Sequence, residues 1–419
     1  MSKSPESVLT EGKQPGLLPR LVEFLGLRRS MVALLSMVVL VGLGEKMAER
    51  FLPVYLMALG GGAISVGLLN GMDNLLSALY SYPGGYLSDR LGYKGALIVF
   101  NLIALAGFAI VIVLPSWQAV IAGSVLFISW TAISLPATMS MVSRVLPQSK
   151  RTMGVSMHSL VRRIPMALGP VIGGLFLQAY GTVAGTRIAF SAAFALGVVS
   201  LFLQQVLIPA EQGELGKQAA DGNLLQLLGL MSPELRSLLV SDVLVRFCEQ
   251  IPYAFAVIWA LDYAHIQPVQ FGLLTAIEMA TAMLVYVPIA YLADRSTKKP
   301  FVAITFVFFT AFPLVLLLSR SFATLTVAFV VRGLKEFGEP TRKALIMDLA
   351  PEGKKAGTFG VYYLLRDSVV SVAAFGGAFL WIISPQVNFI SAAAFGLLGT
   401  VFFLLFGRDL GRVAERARA

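Results

Sequence analysis

The chain has 419 residues, of which 57% are hydrophobic and only 13% charged, with a mean hydropathy of +0.78. That charged share is about half the usual one for a soluble domain, and a soluble fold of this length has too little interior to hide so much apolar surface. An ordinary soluble enzyme or binding module is excluded, and the formal net charge of +10 points to membrane topology rather than to nucleic acid, because most basic residues sit in short segments between long apolar runs.

Residues 1–30 are polar and basic and lack the apolar core and small-residue site of a signal peptide. They are expected to stay as a cytoplasmic tail. A spanning helix needs about 20 mostly apolar residues. Twelve such stretches follow, at 31–58, 65–87, 95–114, 117–146, 151–178, 187–208, 237–261, 269–292, 300–319, 322–349, 356–383 and 387–407. They are numbered here as spans one to twelve. Residues 31–208 form one expected six-helix bundle and residues 237–407 the other. The polar stretch 209–236 is the expected cytoplasmic linker, and 408–419 a second cytoplasmic tail. The predicted fold is an all-α integral membrane protein with twelve transmembrane helices in two pseudo-symmetric bundles.

Orientation follows from the basic residues outside the spans. With the N-terminus inside, 21 Lys and Arg fall on the cytoplasmic side and two, Arg187 and Arg320, on the other. Both termini are therefore expected in the cytoplasm of a multi-pass cell-membrane protein, the inner membrane in a bacterium. The halves also repeat at an offset of 204 or 205 residues. Asp73 pairs with Glu278, Pro83 with Pro288, Leu87-Ser88-Asp89-Arg90 with Leu292-Ala293-Asp294-Arg295, Arg162 with Arg366 and Gly173 with Gly377. Parallel repeats of six spans describe a transporter whose halves face each other across a central cavity.

Between spans two and three lies Gly85-Tyr86-Leu87-Ser88-Asp89-Arg90-Leu91-Gly92-Tyr93-Lys94. It closely resembles the loop signature of the major facilitator superfamily, with Tyr93 in place of one basic residue. Gly85 permits close helix approach, and Asp89 near a helix end can meet basic groups or a neighbouring helix dipole. The resemblance implies that Gly85, Asp89, Arg90, Gly92 and Lys94, with Asp294 and Arg295 in the repeat, latch the halves in one conformation. In span five, Gly169-Pro170-Val171-Ile172-Gly173-Gly174 resembles the end of a motif found in drug–proton antiporter-like families, without its upstream glycines. Gly169, Gly173 and Gly174 would permit tight packing, and Pro170 would bend the helix. Span four lacks the arginine common in proton-driven exporters, Ile128, Ser129 and Trp130 filling that region, whereas span ten has Arg332. The resemblance further implies that spans one, four, seven and ten line the cavity, with two, five, eight and eleven beside them.

Ionisable groups at bilayer depth are costly and usually face a cavity. In this chain they fall in spans one, two, five, seven, eight, ten and eleven, and the interiors of spans three, six, nine and twelve have none. A carboxylate that alternates between an apolar wall and a nearby arginine takes up a proton in one setting and releases it in the other. Glu45, Glu49, Asp73, Glu249 and Glu278 are the candidates for proton coupling. Arg50, His158, Arg162, Arg246, Arg332, Lys335, Glu336, Arg366 and Asp367 are candidates for lining the cavity or holding substrate. Within span ten, Glu336, Glu339, Arg342 and Lys343 are spaced to pair with one another. Asp242 and Arg246 are expected near the cytoplasmic boundary, His265 in an outer loop, and Cys248 as a buried apolar residue.

No nucleotide-binding loop is present, so energy is expected from a gradient or from the substrate itself. One cysteine and two distant histidines make no metal-ligand pattern, and neither a metal nor a cofactor is expected. Nor is enzymatic activity, since a membrane enzyme acting on lipid would need clustered catalytic residues. The expected partners are a small-molecule substrate, protons and the bilayer. The chain is read as a monomeric secondary transporter, proton-coupled and exporting, the alternative being uptake of a polar or charged metabolite.

Overall fold

The computed structural model describes residues 29–127, 161–207, 229, 231–293, 297–351 and 355–408. Every described element is a helix, as a bilayer requires of backbone that must satisfy its own hydrogen bonds. Helical pieces stand at all twelve predicted places. By length and composition six of them can cross a membrane, and a seventh if Pro233–Tyr253 and Phe255–Tyr263, bent by 41°, are one span. Span four is described only over Trp117–Phe127, and span ten is cut by a 3-10 turn at Lys335–Gly338.

Two of the expected loops are not loops. Gly62–Val113 is one 52-residue helix broken at Gly92, and Arg163–Leu207 one 45-residue helix broken at Gly181. Each glycine turns the chain alone, with φ of 70° and 79° and ψ of 164° and 170°, a region essentially closed to residues with a Cβ. A Cβ on Gly181 would meet nothing within 4 Å, so Gly181→Ala isolates backbone strain. Its expected cost is about 1–3 kcal/mol, measurable by detergent-solubilised unfolding beside the wild type.

Other breaks fall inside spans. Pro53 cannot donate, and span one divides into Arg29–Glu49 and Leu52–Ala58, with Arg50 and Phe51 in the break. Span seven is bent after Pro252 and closes in a π-helical turn, Trp259–Tyr263. The first helix of each half is thus interrupted about two-thirds of the way along.

The repeat is visible in the packing. A Cβ on Gly173 would come within 1.9 Å of the Met47 carbonyl, and one on Gly377 within 2.5 Å of the Ile251 carbonyl. Both pairs are related by the same 204-residue offset. The halves then meet through two equivalent seams. Gly67 in span two abuts Ala378 in span eleven, and Gly272 in span eight abuts Pro170 and Val171 in span five. Gly174 likewise abuts Pro268. All of these seams lie in the halves of the helices remote from Lys94, Lys298 and Lys299. Aliphatic and aromatic side chains of spans six, nine and twelve face outward, Phe202 being 68% exposed, Leu318 78% and Leu405 70%.

Candidate functional site

At the end marked by Lys94, Lys298 and Lys299, here the basic end, the halves part around a cavity of about 380 Å³. Span five contributes Arg162, Arg163 and Met166. Span seven contributes Arg246, Glu249, Gln250 and Tyr253, span eight Glu278 to Tyr286, and span ten Arg332 to Lys343. The described walls carry seven basic and four acidic side chains, an excess of three positive charges. Toward the closed end it narrows to a recess of about 40 Å³ between Leu52, Pro53, Leu69, Val257 and Phe271. A side recess of about 130 Å³ reaches Arg366 and Asp367. Asp73 lines all three spaces.

The breaks in spans one and seven place two groups at the apex. Arg50 sits in the first break and Tyr253 at the second, with the guanidinium 5.1 Å from the ring centre. Arg332 stands 5.1 Å from the same ring. The aromatic face attracts both cations.

Most charges here are paired. Lys46 joins Glu49 and lies 3.1 Å from Glu45. Glu249 accepts from Arg246, and from Lys335 at 2.7 Å. Glu278 lies 3.2 Å from Arg332 and 3.7 Å from Lys335, while its second carboxylate oxygen has no hydrogen-bond partner among the described residues. Glu336 does not pair within its own span as its spacing predicts. It meets Arg163 of the other half at 3.2 Å. Glu339 does follow the prediction, accepting from Arg342 and lying 3.5 Å from Lys343.

Asp73 differs. Among the described residues it is in no ion pair, although its repeat partner Glu278 is held by two cations. The same position in the two halves is neutralised once and left free once.

Asp242 is not at a boundary. It is 1% exposed, accepts from Arg342 and from Tyr362 at 3.0 Å, and lies 3.5 Å from Arg366. Its place near the helix start misled, because spans ten and eleven fold over it. Arg366 is also bound to Asp367 at 2.7 Å. Arg246 lies 4.0 Å from Asp242 and 3.5 Å from Glu339, so it links this buried cluster to the cavity. Glu249→Gln would leave Lys335 and Arg246 half-neutralised. Its expected cost is about 1–3 kcal/mol, seen as a lowered unfolding midpoint.

The remaining predicted residues are placed as follows. Gly169 and Gly173 pack on Lys46 and Met47, and Gly174 on Pro268. Gly85 and Asp89 lie in the helix that ends at Gly92. Arg90 stands over Tyr86 at 4.9 Å, and Lys94 donates to the Gln205 carbonyl at 3.1 Å, both within the first half. His158, Asp294 and Arg295 lie outside the described residues. Cys248 is buried and donates to the Phe309 carbonyl at 3.2 Å. His265 is exposed.

Four cavity residues escaped the sequence reading because they carry no full charge. Asn70 donates to the Gln250 carbonyl at 2.8 Å and Asn74 to its side chain at 3.3 Å, bridging the halves. Tyr253 and Gln250 flank Pro252. A proline next to polar residues in an apolar run was the available signal.

Comparison with known proteins agrees with this architecture. The model described as Major Facilitator Superfamily matches residues 34–247 and again 238–418. An uncharacterized MFS-type transporter of Methanocaldococcus jannaschii is 19% identical over 370 residues, covering 86% of this chain and 91% of its own. The quinolone resistance protein NorA of Staphylococcus aureus is 25% identical over 169 residues, 40% of this chain and 42% of that one. Among solved structures, the nucleoside transporter NupG superposes with a TM-score of 0.75 at 12% identity, covering 90% of this chain and all of that one, 100%. At that identity the likeness is one of fold.

Proposed function

This chain belongs to the Major Facilitator Superfamily, and on that premise we propose that it is a proton-coupled secondary transporter that exports a small charged molecule by alternating access. The basic end is the cytoplasmic one by the excess of Lys and Arg there, and both termini lie on that side of the cell membrane. In this state the seams at the far end are closed and the cavity is reached from the cytoplasm. Rocking one half against the other would open the seams and close the cavity. One molecule suffices, since the cavity is built from a single chain.

The observation that carries proton coupling is the asymmetry at the repeated acid position. Asp73 lines every part of the cavity and is in no ion pair among the described residues, whereas Glu278 is in two. Glu45 and Glu49 share Lys46 and are the next candidates. The relative named for quinolone resistance is what favours export. The excess of cationic walls favours a second reading, uptake of a charged metabolite.

The test is proton movement in vesicles holding a pH-sensitive dye, with the purified protein, an imposed proton gradient and a panel of organic cations, anions and amino acids. A compound class should evoke proton movement in the wild type and lose it in Asp73→Asn, with Glu45→Gln and Glu49→Gln run beside it as the next candidates. Movement opposite to the compound means antiport, and movement with it means symport and uptake. Flux of a compound without proton movement would remove the coupling.

A further inference from the structure

Five of the seven cations on the cavity wall are neutralised by carboxylates. Glu249 engages Arg246 and Lys335, Glu278 engages Arg332, Glu336 engages Arg163, and Glu339 engages Lys343. The other two, Arg50 and Arg162, are in no ion pair among the described residues. The neighbour of Arg50 is the Tyr253 ring, which attracts a cation without neutralising it. A guanidinium keeps its proton. Held away from bulk water, Arg50 is balanced only at a distance, by Glu278, Glu49 and Glu249, and Arg162 by Glu45, so neither has a carboxylate in contact among the described residues. Asp73 on the cavity wall and Glu49 in the recess, the latter held by Lys46, are the acids nearest Arg50, and the wall of the wide cavity keeps its positive excess whatever Asp73 does.

The position of Arg50 adds a second constraint. It lies where span one breaks before Pro53, and it borders both the 380 Å³ cavity and the 40 Å³ recess. Beyond it the recess is walled by Leu52, Leu69, Val257 and Phe271. A molecule that reaches Arg50 meets charge on one side and hydrocarbon on the other. Arg162 lies on the wider side, toward the basic end.

Resting on the transporter reading above, we infer that the cargo is a small amphipathic organic acid: its anionic group becomes the contact partner of Arg50, Arg162 draws it in from the basic end, and its short apolar part enters the recess. Arg332 and the Tyr253 ring, already in place beside Arg50, fix the site without being spent on the cargo. The cargo of this cavity is then distinguished from a lipophilic cation by two residues that a cationic cargo would have to displace.

The experiment uses two matched series on the full-length protein in detergent: butyrate, butanamide and butylamine, and benzoate, benzamide and benzylamine. Binding is read as protection against thermal unfolding across a concentration range. The carboxylates are expected to bind about tenfold or more tightly than the amide and amine of the same skeleton. Arg50→Gln should erase that preference, Arg50→Lys should keep it, and Arg162→Gln should weaken carboxylate binding without reversing the order. Retention of the preference by Arg50→Lys shows that loss in Arg50→Gln is loss of charge and not of folding. Equal or better binding of an amide or amine, no protection by any carboxylate, or a preference that survives Arg50→Gln would each overturn the inference. The vesicle assay separates this from the proton reading. Carboxylate binding without proton movement leaves the anion site standing and removes the coupling. Proton movement evoked by amines alone does the reverse.

Discussion

Asp242→Ala is expected to destabilise the protein by about 3–5 kcal/mol, the cost of leaving buried charge without its partner. Asp242 and Arg342 are each 1% exposed, so water cannot take the place of either. Asp242 accepts from Arg342 and Tyr362 and lies 3.5 Å from Arg366. Its removal strips a guanidinium and a phenol of their acceptor at once. Glu339 still holds Arg342 through bonds of 2.7 Å and 3.0 Å, which keeps the loss at the scale of one broken pair. The double change Asp242→Leu with Arg342→Met removes both charges together and should recover most of the loss, since well-packed apolar residues replace buried ion pairs at little cost. Equilibrium unfolding of the three proteins in mixed detergent micelles checks this. A single variant that unfolds with the wild type would show that the cluster contributes nothing to the fold.

Asp73→Asn is expected to reduce cargo-evoked proton movement to the level of protein-free vesicles while leaving exchange of cargo across the membrane intact. Asn keeps the size of the side chain and removes only the proton it could carry. The charged groups that share its three spaces are Glu49 and Arg50 on span one, Arg162 and Arg163 on span five, Arg246 and Glu249 on span seven, Glu278 on span eight, Arg332, Lys335, Glu336 and Lys343 on span ten, and Arg366 and Asp367 on span eleven. Glu249, Arg246, Arg366 and Asp367 are committed to one another or to neighbouring residues. Glu49 is committed to Lys46. Asp73 is the acid in these spaces with no ion pair among the described residues, and under the proposed coupling it is the one to change charge. Proton movement that survives in Asp73→Asn would transfer the role to Glu45 or Glu49.

Much of the fold was legible in the sequence because lipid leaves few options. Apolar runs of spanning length fixed the helices, and the repeat fixed their grouping. The turns were harder. A lone glycine at Gly92 or Gly181 replaces a loop, and nothing in apolar periodicity separates a helix broken at one residue from two helices. The breaks at Pro53 and Pro252 were readable as prolines, but not what they expose.

The site was legible as a list of charges and not as a network. Spacing along one helix predicted the bonds of Glu339 to Arg342 and Lys343, because both ends share a face. It failed for Glu336, whose partner Arg163 is 173 residues away, and for Asp242, whose partners come from spans ten and eleven. Asp73 and Glu278 looked equivalent in the repeat. Only the fold shows that cations pair with Glu278 and, among the described residues, not with Asp73.

Alternating access around this cavity is tested most directly by the distance across its closed end. Spin labels would be placed at Leu114→Cys in the first half and Gln267→Cys in the second, both exposed, in a Cys248→Ser background. Distances measured in lipid, in acidic and in alkaline buffer, should show one short population that gives way to a longer one as the proton supply changes. In Asp73→Asn the balance should no longer respond. A single distance, the same in both buffers and in both proteins, would contradict a proton-coupled rocking of the two halves.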